Sequence, residues 1–204
     1  MSGVLGKSVS DPLTQGDIDS IKTLYLADMG LEDLSELARI HWQGLESLTI
    51  SGNSLSSAPT LDMPQLSYLD MSDNHLTDIS GIYGLLSLKT LIISGNAIME
   101  ISDLSGLSSL QALDLSYNRL EAAPELKSET LRFLDISANP IKKLPDSFPD
   151  CPALETLILP EVYEGSWLRP ILAGTIILIL TGAGICLTRY SENQKRKTMT
   201  LGDN

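Results

Sequence analysis

Between residues 21 and 162 aliphatic side chains return in one arrangement, and the polar positions between them are fixed as well. The clearest copy runs from Leu110 to Leu120, with apolar residues at Leu110, Leu113, Leu115 and Leu120 and an asparagine at Asn118. The same spacing returns as Leu45, Leu48, Ile50, Asn53, Leu55; as Leu66, Leu69, Met71, Asn74, Leu76; as Leu88, Leu91, Ile93, Asn96, Ile98; and as Leu131, Leu134, Ile136, Asn139, Ile141. Successive asparagines stand 21, 22, 22 and 21 residues apart. Degenerate copies flank the set. Ile21, Leu24, Leu26 and Leu31 carry Met29 in the asparagine slot, and Leu154, Leu157 and Leu159 carry Val162 there. Self-similarity at this period marks a repeat architecture.

Two leucines separated by one residue face the same side of a strand, and the residue between them faces the other. One such strand cannot bury its apolar side alone. Stacking successive turns buries the leucines in a continuous core and pairs the strands in parallel. Asparagine has both a donor and an acceptor, so one per turn can satisfy backbone groups where the chain bends away from the strand. Met29 and Val162 stand where a turn has one neighbour or none, which marks those copies as caps.

The pattern L-x-x-L-x-L-x-x-N-x-L resembles the leucine-rich repeat family over most of the chain, in the 22-residue style of phosphatase-regulatory and internalin-like proteins. The resemblance implies an α/β solenoid, an arc with a parallel β-sheet on its concave face. The expected division is a polar lead or cap over 1–20, about seven repeats over 21–164, a hinge at 165–169, an uncharged run at 170–188 and a basic tail at 189–204. In the first repeat Leu31, Leu34, Leu37, Ala38 and His41 recur at helical intervals and predict a short outer helix. Ile79, Ile82 and Leu85, and likewise Ile101, Leu104 and Leu107, predict a 3₁₀ or α turn on the return segment.

Charge is unevenly placed. Residues 1–166 hold nine Lys/Arg against twenty-four Asp/Glu, a net −15, while residues 167–204 hold five against two, a net +3. An acidic body excludes a nucleic-acid backbone as the expected partner. Cys151 and Cys186 are the two cysteines, and no N-x-S/T sequon occurs. Both facts lean towards a reducing, non-glycosylating compartment.

From Pro170 to Thr188 there are 19 residues without a charge. As a helix they span about 28 Å, close to the ~30 Å hydrocarbon core of a bilayer. Trp167 and Tyr190 flank the run as interfacial aromatics do. The expectation is one transmembrane α-helix, with the lipid bilayer as a partner. Orientation pulls two ways. Arg189, Lys195, Arg196 and Lys197 follow the run and Arg169 precedes it, which places the tail in the cytosol and the repeats outside. A run so near the C-terminus, with no apolar leader in residues 1–20, resembles instead a tail-anchored protein with cytosolic repeats. The missing sequons and cysteine-rich caps side with the second.

Residues between the leucines form the expected concave face, and a protein partner is expected to bind there. Candidate contacts are the aromatics Tyr25, Tyr68, Tyr117 and Phe133, the carboxylates Asp70, Asp73, Asp114 and Asp135, and Ile92. Asn53, Asn74, Asn96, Asn118 and Asn139 are assigned to structure. Asp114 and Ser116 carry a second reading, since L-D-L-S-x-N is frequent wording in this family. His41 and His75 are isolated and read as surface or packing residues. No phosphate-binding loop, HExxH or Gly-x-Ser-x-Gly occurs, so no enzyme, cofactor, metal or small-molecule substrate is expected. The expected function is a membrane-anchored protein-interaction module. The alternatives are a cell-surface receptor or adhesion protein with the repeats outside, and a phosphatase-regulatory scaffold.

Overall fold

The computed structural model describes residues 13–101, 104–142, 144, 149–160, 176–181 and 184–189. A short helix α1 (Gln15–Asp19) opens it and strand β1 (Thr23–Tyr25) follows. Helix α2 (Ser35–Ala38) lies on the return of the first turn, where the helical spacing predicted one. Strands β2 (Ser47–Thr49), β3 (Tyr68–Asp70), β4 (Thr90–Ile92), β5 (Ala112–Asp114), β6 (Phe133–Asp135) and β7 (Thr156–Leu159) come one per turn. A 3₁₀ turn at Ser80–Ile82 returns the chain between β3 and β4.

The strands β1 to β7 pair in sequence order and all in parallel. Their register puts Leu24, Leu48, Leu69, Leu91, Leu113, Leu134 and Leu157 in one file across the sheet. These leucines point into the core, and the five from Leu48 to Leu134 are fully buried. One slip of register would turn the whole file to solvent. Close stacking of the returns is visible at Gly81, where an added Cβ would lie 2.2 Å from the carbonyl oxygen of Ala58 in the turn before.

The asparagines tie each turn to the one before it. Asn96 Oδ1 accepts from Leu76 N–H at 2.9 Å, and its Nδ2 donates to the carbonyls of Met71, Ile93 and Ser94 at 3.0, 3.0 and 3.2 Å. Asn74, Asn118 and Asn139 repeat that set in their own turns. Asn53 serves the first turn, accepting from Met29 N–H and Leu31 N–H and donating to the carbonyls of Leu26, Ile50 and Ser51. Among the described residues no repeat turn precedes Met29, and it is exposed.

The described residues give no support to the expected membrane helix. Ile176–Thr181 is a strand, β8, and Gly184–Arg189 is another, β9. They pair antiparallel with each other, and β9 pairs antiparallel with β7, from Thr156↔Thr188 to Leu159↔Ile185. Among the described residues no helix is long and apolar enough to cross a membrane. The physical reason lies in the run itself. A continuous apolar stretch has no period with which to choose helix or strand, its isoleucines and threonines favour strand, and β7 offers an edge of unpaired backbone groups. Trp167 and Tyr190, the flanking aromatics, lie outside the described residues, as does Val162.

Candidate functional site

Outward-facing residues of β1 to β7 form one strip, exposed on β1 and half-buried on β2 to β7. Within each strand the middle leucine points inwards while the first and third residues face out. Tyr68 and Asp70 on β3, Ile92 on β4, Asp114 on β5, and Phe133 and Asp135 on β6 are half-buried there. Tyr25 stands on β1 at the end of the sheet, 70% exposed. The register sets Asp114 beside Asp135, Ala112 beside Phe133, and Ile92 between Asp70 and Asp114.

The aspartates hold the backbone as well as facing solvent. Asp70 Oδ1 accepts from Ser72 N–H at 3.0 Å and from its hydroxyl at 2.7 Å. Asp114 does the same with Ser116 at 2.9 and 2.7 Å, and Asp135 accepts from Ser137 N–H at 2.8 Å. Ser116 and Ser137 are buried. Burial pushes the Asp135 carboxyl up, its bonds to Ser137 pull it down, and the neighbouring Asp114 charge adds to the rise. Burial and the nearby Asp70 push the Tyr68 hydroxyl up. Part of the acidic strip therefore has a structural task, which leaves the aromatics freer to serve contact.

Asp73 and Tyr117 lie elsewhere than the strand face expected for them. Both sit in the turn after the strand, immediately before an asparagine, with φ of +53°. That position is left-handed in every turn for which it is described: Asp28 (+57°), Gly52 (+66°), Asp73, Gly95 (+67°), Tyr117 and Ala138 (+50°). The backbone N–H groups of five of them form a second file of bonds, each reaching a serine carbonyl of the following turn, as Tyr117 N–H does to Ser137 at 3.1 Å. Glycine suits this position and tyrosine does not. Tyr117 is 61% exposed, and its neighbours in the file are Gly95 and Ala138, which leave the ring uncovered. The sequence signal for this file was the alternation of Asp28, Gly52, Asp73 and Gly95 before the asparagine slot of the first four turns, which Tyr117 and Ala138 interrupt.

On the row just before the strands, Lys22 pairs with Glu46 at 2.9 Å and Arg132 with Glu155 at 2.6 Å. All four are exposed, so each pair contributes at most about 1 kcal/mol. His41 lies against Asp62 and Gln43 on the surface. Among the described residues no group of three or more His, Cys, Asp or Glu could hold a metal ion.

Family profiles match three stretches of the chain. One described as leucine rich repeat covers residues 64–120, one described as leucine rich repeats in two copies covers 43–84, and a third leucine rich repeat covers 130–151. No curated protein matches the sequence. Among solved structures, an internalin from Listeria monocytogenes is similar with a TM-score of 0.68 and 24% identity, over 84% of this chain and 52% of its own. This chain thus spans about half the length of that internalin. Internalin C2 of the same organism overlaps with a TM-score of 0.46 and 22% identity, over 78% of this chain and 89% of its own. Over the stretches they cover, residues 43–120 and 130–151, those profiles fall on the turns that repeat the same leucine and asparagine slots, and there the chain carries leucine-rich repeats.

Proposed function

We propose that the chain is a non-enzymatic module that binds a protein partner across the outward face of β1 to β7. The observation that carries this reading is the set of aromatics on or beside that face, Tyr25, Tyr68, Tyr117 and Phe133, of which two are more than half exposed. Large, stiff aromatic side chains give contact area at low entropic cost and are the usual anchors of an interface. A photo-crosslinking residue in place of Thr49, in the full chain expressed in cells, tests it. A discrete protein adduct is expected there and not from Ser80 on the return side. Adducts from Ser80 alone would place the interface elsewhere and overturn the reading.

Membrane attachment is part of the same proposal. Its support is the sequence of residues 170–188, uncharged and of spanning length, and the competing arrangement is the pairing of β8 and β9 on β7. Alkaline carbonate extraction separates the two, since release of the full chain into the soluble fraction would leave the sheet-bound arrangement standing. The repeats face the cytosol in this reading, in keeping with their lack of sequons. The cluster Lys195, Arg196 and Lys197 favours the opposite reading, a cell-surface receptor with only the tail inside. Protease treatment of intact cells decides between them: digestion of the repeats without permeabilisation would refute the cytosolic placement.

A further inference from the structure

Among the described residues, the outer side of the first turn is left only partly covered. Interior leucines such as Leu48, Leu69 and Leu91 are wholly buried, because a turn covers them on each side. In the first turn Leu26, Leu31, Leu37 and Ile40 are only half-buried, although they pack on the same core. With Trp42 at its base they line a cavity of about 650 Å³ beside α1 and α2, within the size range of a specific binding pocket. Its rim carries Glu32, Asp33 and Glu36 against one cation, Arg39. Arg39 is already engaged by Glu36 at 2.6 Å, and Asp33 accepts from Ser35.

An apolar groove with an acidic rim selects its occupant by chemistry. A second copy of the chain, docked end to end, would set Glu32, Asp33 and Glu36 of one molecule against the same carboxylates of the other, which is repulsive. A neutral apolar segment would leave the rim unmatched. We propose that this groove docks a basic amphipathic segment of a partner protein, its aliphatic residues on Leu26, Leu31, Leu37 and Ile40 and its Lys or Arg side chains on Glu32, Asp33 and Glu36. The site lies at the end of the solenoid, apart from the outward face of the sheet, and it stands or falls independently of that face.

The test uses the full chain carrying Trp167→Phe, so that Trp42 at the base of the groove reports through its fluorescence. The probe is a short synthetic Leu/Lys peptide with leucines at i, i+3, i+4 and i+7. The control peptide has the same composition with its leucines scattered around the helix. The amphipathic peptide should bind saturably and at least about tenfold more tightly than the control. Glu32→Lys combined with Glu36→Lys should weaken it by about tenfold or more, and Leu37→Asp likewise, while the distant exposed Glu121→Lys leaves it unchanged. Circular dichroism checks the fold of each variant, and the Glu32 and Glu36 exchanges are on exposed side chains that hold no core contact. Equal binding of the two peptides would overturn the proposal. So would affinity indifferent to Glu32 and Glu36, or a dimer that Leu37→Asp dissociates, since that would put a second copy in the groove.

Discussion

Replacing Asn96 by alanine measures what the asparagine file contributes. Leu76 is wholly buried, and its N–H donates to Asn96 Oδ1 at 2.9 Å. Without that acceptor the N–H is stranded, at a cost of about 1–3 kcal/mol. The three carbonyls that receive Asn96 Nδ2 fare better, because each keeps another donor. Met71 retains Asn74 Nδ2 at 3.1 Å, Ile93 retains Asn118 Nδ2 at 2.9 Å, and Ser94 retains Asp73 N–H at 2.9 Å. Their loss belongs at the low end of a hydrogen bond's net worth, about 0.5 kcal/mol apiece. The total is about 2.5–4.5 kcal/mol. Asn53→Ala should cost less, about 1–2 kcal/mol, because the Met29 and Leu31 groups it serves are only part-buried and water can reach them. Equilibrium urea unfolding followed by circular dichroism, with the slope checked for constancy, gives both values. A cost for Asn96→Ala below about 1 kcal/mol, or equal to that of Asn53→Ala, would refute the assignment. Asn96→Asp sharpens the test. It keeps an acceptor for Leu76 but turns the other oxygen on three carbonyls, so it should be worse than alanine at neutral pH and recover as acid protonates it.

Tyr117→Gly should stabilise the fold by roughly 0.5–1 kcal/mol, as ~1–2 kcal/mol of left-handed strain is relieved against ~0.5–1 kcal/mol for glycine's freedom in the unfolded chain; a loss of melting temperature would contradict the strain reading. Gly81→Ala should destabilise by about 2 kcal/mol or more, since its Cβ would meet backbone of the preceding turn at Ala58 and Pro59 rather than a yielding side chain, and a neutral result in urea unfolding would show that the turns separate easily. Asp135→Asn keeps an acceptor for Ser137 N–H and removes a charge that burial disfavours. Because the folded carboxyl titrates above its unfolded value, its ionisation lowers stability as pH rises through the folded pKa, and below the unfolded value of about 3.8 the charge is absent in both states. The variant should therefore gain stability at pH 7 and nothing at pH 3, read from urea midpoints at both.

Most of the solenoid was legible because its requirements are periodic. Leu110 to Leu120 names four inward side chains and one bridging amide, and copies 21–22 residues away leave one register in which all of them stack. Features that depend on one turn meeting another were harder to see. The left-handed file before the asparagines was missed, although Asp28, Gly52, Asp73 and Gly95 were its signature, because Tyr117 and Ala138 broke the pattern. The open groove at the first turn was signalled only by Met29 in an asparagine slot. Ile176–Thr181 and Gly184–Arg189 stand as strands where a helix was expected, because uniform apolarity encodes burial without encoding a period.

Each asparagine reaches back to the turn before it, and this gives the repeats a direction in time. Leu76 is made some twenty positions ahead of Asn96, whose side chain completes its bonding. On a ribosome adding about 5–20 residues per second, every turn waits roughly one to four seconds for the residue that finishes it. Synthesis therefore carries one unfinished turn at the growing end, its apolar side open to whatever chaperone is nearby.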